Sequence, residues 1–272
     1  GSYRAQQLAG VDLSSNDLRS WSFAYQNLNG ASFRGSDLSG VSFVASKLAN
    51  ADFADAKIAG ADFTNAVDLT LGQLVPTRSY QDKSFAGMRF GALDAHGGNL
   101  AGLDLHSVTL WGANLAEADL RGADLTGATS YLANLSRADL RGAKLTGAEL
   151  NSANLDGALF DDAEIAGVNF VGSRLTAQQL YATASYRRGE LQGISSPSND
   201  MAGWNFRGED LTGSLLNGSQ IADADFTGAR LNGVLFYYSD MQRTKLIDVS
   251  AHERRFQQRQ SLAGGPLRRG FR

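Results

Sequence analysis

The chain has 272 residues, 43% of them hydrophobic, with 31 glycines, three prolines, no cysteine and a formal net charge of −3. That length supports a sizeable buried core, and the mild acidity gives no general electrostatic attraction to nucleic acid. Lack of cysteine excludes thiolate metal sites, thiol catalysis and disulfides, while leaving the redox compartment open.

The start, Gly1-Ser2-Tyr3, carries neither a charged nor an apolar leader region. Gly1-Ser2 has the form of a cloning remnant, so a signal removed upstream is compatible with it. No apolar run approaches the roughly 20 residues that cross a bilayer, so no membrane span is expected.

From there almost the whole sequence reads as groups of five, with Leu, Ile or Phe at the centre and a small residue two places earlier. Residues 113–128, from Ala113-Asn114-Leu115 to Leu125-Thr126-Gly127-Ala128, show it most plainly. A period of five fits neither the helix repeat of about 3.6 nor the strand repeat of 2. A repeat that cannot bury its own apolar face must stack on its neighbours, so the chain is read as a solenoid.

The pattern resembles the pentapeptide-repeat family, A(D/N)LXX. That resemblance implies an all-β fold, a right-handed quadrilateral parallel β-helix. Each quintet makes one side, about 20 residues make one coil, and the central residue points inward. Residues 20 apart should then stack about 4.8 Å apart. Residues 118–123 recur letter for letter at 138–143, and Asn114, Asn134 and Asn154 form a column. Phe23, Phe43 and Phe63 form another, with Phe33 and Phe53 on the opposite wall. These five, with Leu115, Leu120, Leu125, Leu135 and Leu140, are the expected core. Eleven coils would make a rod of about 50 Å.

The quintets break twice, at about 70–78 and about 176–184. In each break a threonine precedes Gln by three, the spacing of a helix capping box, so a short helical insert is expected. Each insert ends in Ser-Tyr, after which the quintets resume in fixed register. One solenoid over 1–250 therefore holds three modules, at about 2–69, 79–175 and 185–250. Modules one and three share Asn16-Asp17-Leu18 with Trp21-Ser22-Phe23 and Asn199-Asp200-Met201 with Trp204-Asn205-Phe206; the middle one carries Gly98-Asn99-Leu100. The lead-in and follow-up motifs resemble pentapeptide-repeat proteins common in planctomycetes and related bacteria, which suggests a bacterial source and leans towards export. Trp21 and Trp204 replace small residues, as boundary packing or as exposed recognition residues.

From residue 251 the quintets stop, and a polar helix followed by a basic tail is expected. That stretch holds six arginines, Arg254 and Arg255 among them, and one acid, leaving 19 basic and 27 acidic residues for the rest. The tail could bind an anionic partner or the acidic rod itself. Open solenoid ends invite another copy to stack.

No catalytic constellation, cofactor motif or metal-ligand spacing is found; His96 and His106 fall two sides apart. Two non-enzymatic functions compete. One is a structural or protein-interaction scaffold with an unidentified protein partner, self-associating through its ends, with Arg121 and Arg141 as further candidate contact residues. The other is DNA mimicry, as in the pentapeptide-repeat proteins that bind DNA gyrase. B-DNA carries one charge per about 1.7 Å, so a 50 Å mimic would want about 30 charges. Mixed columns such as Asp104, Asp124 and Lys144 favour the scaffold.

Overall fold

A period of five builds a wall when four quintets close one turn of chain. The computed structural model describes residues 7–251, and in it the residue before each central one bridges, in parallel, the residue 20 positions on: Asp104 to Asp124, Asp124 to Lys144, Asn114 to Asn134. Backbone bonds run along the rod, with Leu120 N–H donating to Asp139 C=O at 2.8 Å and Asp139 N–H to Ala118 C=O at 2.9 Å. Among the described residues every bridge is isolated, so the expected walls are one bridge wide and not made of extended strands. The corners explain this. Two residues follow each central one, and the second lies in the left-handed region, as at Gly122 (φ 62°) and Glu117 (φ 59°). A side chain there costs roughly 1 kcal/mol, so Gly, Asn, Asp and Ser hold most corners.

One wall, wall A, runs unbroken from Ser22 through Asp62–Arg89 and Asn169–Ser195 to Leu235. Its eleven bridge residues number the coils from 1 to 11. Walls B, C and D follow it in chain order within each coil.

The bore is filled from these walls. On wall A, Phe23, Phe43, Phe63 and Phe90 stack nearly parallel, with centroids 5.6, 5.0 and 5.7 Å apart. On wall C, Phe33 and Phe53 stack at 5.3 Å and meet the first column edge-on. Such ring pairs add about 0.5–1.5 kcal/mol each beyond burial. Leu115, Leu120, Leu125, Leu135 and Leu140 are buried with them. Ser130 takes a central position on wall A, and a void of about 10 Å³ lined by Leu115, Leu120 and Leu135 lies beside it.

In coils 3 and 8 a pair of short helices replaces the wall C quintet: α1 (Leu71–Leu74) with α2 (Arg78–Gln81), and α3 (Ala177–Ala182) with α4 (Ala184–Arg188). Both openings carry the capping box. Gln73 accepts from Thr70 N–H at 2.9 Å and Gln179 from Thr176 N–H at 3.0 Å. Each Gln also donates into the coil beneath, to Leu48 C=O at 2.7 Å and Leu155 C=O at 2.8 Å. Leu74 and Leu180 are fully buried in the bore. Because an insert uses more residues than a quintet, wall A steps by 27 at Asp62–Arg89 and by 26 at Asn169–Ser195 instead of 20. The Phe63–Phe90 stack carries on across the first step.

The two boundaries fill one space in opposite ways. A Cβ on Gly98 would lie 2.2 Å from Leu71 Cδ2, so the insert supplies the bulk there. At the second boundary the counterpart of Leu71 is Ala177, and that of Gly98 is Trp204, buried against Phe206 and Tyr181. The predicted C-terminal helix and tail, with Arg254 and Arg255, lie outside the described residues.

Ala133 is buried two places before Leu135. The substitution Ala133→Phe should overpack that coil and cost about 3 kcal/mol, read as a lowered denaturation midpoint; an unchanged cooperative melt would contradict the inward placement.

Candidate interaction surfaces

Charges on this rod are arranged by the 20-residue register. In coils 5 and 6, Asp119 and Asp139 lie on wall C, and each accepts a bidentate pair from the arginine two residues on, Arg121 and Arg141, at 2.6 and 2.8 Å. Arg121 also approaches Asp139 at 3.7 Å. The arginine hydrogen bond, foremost among several, holds both carboxyls below their ordinary range. Arg121 and Arg141 are exposed but already committed to their own wall, which leaves less of their charge for a partner. Mid-wall amides pair in the same way: Asn134 donates to Asn114, and Asn154 to Asn134, both at 3.3 Å.

The two tryptophans separate. Trp21 is 53% exposed beside Phe23. Trp204 is only 8% exposed, which corrects its expected candidacy as a surface residue. The reason is the insert: Tyr181 of α3 packs edge-on against Trp204. Tyr181 Oη accepts from Asn205 N–H at 2.7 Å, and Tyr186 Oη donates to Asn205 C=O at 3.0 Å.

Sequence reasoning missed Glu209, which occupies a small-residue position before Leu211. It is 4% exposed, and its Oε2 has no hydrogen-bond partner. Burial pushes its carboxyl up to about 8, and Tyr186, nearby, is raised to about 12, chiefly by its own burial. The only sequence signal was an acid at a position that most often takes Ala or Ser and otherwise mostly an uncharged residue such as Val, Leu or Gly.

Two open grooves of about 350 and 470 Å³ flank the second insert and share Arg174, with Asp156 and Asp161 on one side and Asp200 and Trp204 on the other. They bring together no base, nucleophile and acid. His106 Nδ1 lies 2.8 Å from Asp104 on an open corner. Among the described residues no group of His, Asp and Glu is placed to hold a metal, and no helix is long and apolar enough to cross a membrane.

A profile of pentapeptide repeats matches the chain in eight copies, over residues 7–43, 27–65, 99–129, 138–176 and 200–233. A comparison with curated proteins finds no match. Among solved structures, the chain is similar to HetL, involved in heterocyst differentiation regulation in the cyanobacterium Nostoc sp. strain PCC 7120, with 21% identity, 89% of each chain covered and a TM-score of 0.27. It is also similar to QnrB1, a plasmid-mediated fluoroquinolone resistance protein, with 15% identity, 89% and 90% coverage and a TM-score of 0.27. For alr5209 from Nostoc the identity is 27% over 47% of this chain and 97% of that one, with a TM-score of 0.34.

Glu209 yields a pH test. Its folded value lies above the ordinary 4.5, so the folded state holds a proton that the unfolded state releases between pH 4.5 and about 8. Stability should therefore fall as pH rises through that window, and Glu209→Gln should flatten the slope of melting temperature against pH; a parallel slope in both proteins would refute this.

The repeats matched by the profile cover more than half of the sequence, and the chain belongs to the pentapeptide repeat family.

Proposed function

We propose that this protein is a non-enzymatic scaffold, a stiff right-handed quadrilateral β-helical rod that displays its walls and edges to protein partners and can self-associate. One solenoid over 1–250, in three modules with a basic tail from 251, is the unit of that display. The observation that carries the reading is the state of the wall charges. They stand in columns and are taken up largely by their own neighbours, as Asp119–Arg121 and Asp139–Arg141 are, with no convergence of acid, base and nucleophile at either groove beside the second insert. An ordered surface of this kind suits recognition by shape and register. Open coil ends supply one route to self-association, by adding a further coil's backbone bonds. Mimicry of DNA is less well supported, because paired arginines cancel the acids that a mimic would present.

Size-exclusion light scattering and negative-stain imaging of the full chain, at several concentrations, test this. Particles larger than one rod are expected, with end stacking adding length and wall or edge contacts adding width. A chain that stays monomeric at every concentration and inhibits gyrase supercoiling would replace the scaffold by the gyrase-binding reading.

A further inference from the structure

The exposed aromatic side chains are not scattered. Among the described residues they are Trp21, Tyr25, Trp111, Tyr131 and Tyr238. Trp21 lies on wall A in coil 1, and the other four lie on the edge that joins wall A to wall B, in coils 1, 5, 6 and 11. No described corner on that edge carries a charge, whereas the other three edges carry Arg19, Arg137 and Arg121. Three of the aromatic-edge residues, Tyr25, Leu132 and Tyr238, hold bulky side chains at φ 62°, 58° and 61°. Every other left-handed corner is Gly, Ala, polar or charged. Large apolar groups kept in a strained conformation and facing solvent point to a contact. The inserts take the place of wall C, which faces wall A across the bore, and leave the A–B edge open.

The geometry points to a second copy of this chain docked antiparallel along this edge, related by a twofold axis between coils 5 and 6. Coil k of one copy then faces coil 11 − k of the other. Trp111 meets the partner copy's Tyr131, and Trp21 and Tyr25 in coil 1 meet Leu215 in coil 10, with Tyr238 one coil beyond. Charges select this register. On wall A, Arg89 of coil 4 comes opposite Glu149 of coil 7; on wall B, Lys47 of coil 2 comes opposite Asp200 of coil 9. Arg89 is also bonded to Asp62 at 3.1 Å, and Glu149 accepts from Asn169 at 2.9 Å, so both charges are shared with their own wall and bear on register more than on affinity. A slip of one coil sets Asp62 against Glu149 in one direction and loses both ion pairs in the other. A parallel twofold arrangement sets wall A of one copy against wall B of the other, which keeps Arg89 opposite Asp94 but leaves Lys47, Glu149 and Asp200 opposite Ser42, Asn154 and Ser195. Isologous pairing closes at two chains, unlike head-to-tail end stacking. The inference rests on the scaffold reading only in treating the solenoid surface as a docking surface.

Sedimentation equilibrium of the full chain should show a dimer. The surface variant Trp111→Ser with Tyr131→Ser, its fold checked by circular dichroism, should weaken the dimer by about thirtyfold or more, the loss typical of buried interface anchors. Because the chain has no cysteine, cross-linking is free of background. Ala92→Cys in coil 4 and Ser152→Cys in coil 7 sit on corners already at φ 56° and 54°. When the two variants are mixed and oxidised, a disulfide heterodimer is expected. Neither alone should cross-link, since like positions would stand three coils, about 14 Å, apart, beyond the roughly 7 Å Cα reach of a disulfide. Wild-type chain that stays monomeric, a dimer indifferent to the double substitution, or cross-linking of either variant alone would overturn the pairing. In the first case the scaffold reading still stands or falls by the gyrase assay; in the second, elongated particles would assign the dimer to the rod ends.

Discussion

Everything in this molecule depends on each coil matching the one beneath it. Wall bridges join each coil only to the coils above and below it, 20 residues away except across an insert, and a left-handed corner every fifth residue prevents any strand from growing past one bridge. The cross-section of the bore is thereby set, and side-chain volume must be conserved from coil to coil. Columns of like side chains follow: a phenylalanine that stacks on a phenylalanine leaves no void in a closely packed interior.

The inserts show how firmly that constraint acts. A helix of four or six residues stands in for a wall because Leu74 or Leu180 fills the bore, and because one glutamine caps the helix and also binds carbonyls of the coil below. Where α1 brings Leu71, the next coil needs Gly98; where α3 brings Ala177, the next coil takes Trp204. Bulk moves between the two elements while the filled space stays the same. Glu209 is the exception, a carboxyl in a position built for a methyl group, and its raised proton affinity follows from that burial.

On the outside the same register turns sequence into columns. Acids and arginines fall next to each other and largely neutralise one another, and such exposed pairs contribute roughly 0–1 kcal/mol each, so their arrangement bears more on recognition than on stability. Most of the exposed aromatic side chains lie along one edge, where side chains leave the rod between two walls and have few neighbours of their own. An edge of this kind loses little on meeting another surface, because no charge on it has to shed water.

Sequence alone determined the quintet, the inward residues, the facing Phe columns and the places where helices interrupt the walls, because each of these is a local pattern repeated many times. Trp21 and Trp204 sit in the same local motif, yet one is exposed and the other buried; only the α3 helix folding over the second boundary decides between them. The alignment of Tyr25, Trp111, Tyr131 and Tyr238 was likewise out of reach. Steps of 27 and 26 residues at the inserts destroy the 20-residue spacing along the chain and restore it in space. Residue number follows the chain, whereas a surface follows the stacking of coils, and the two part company wherever a helix takes the place of a wall.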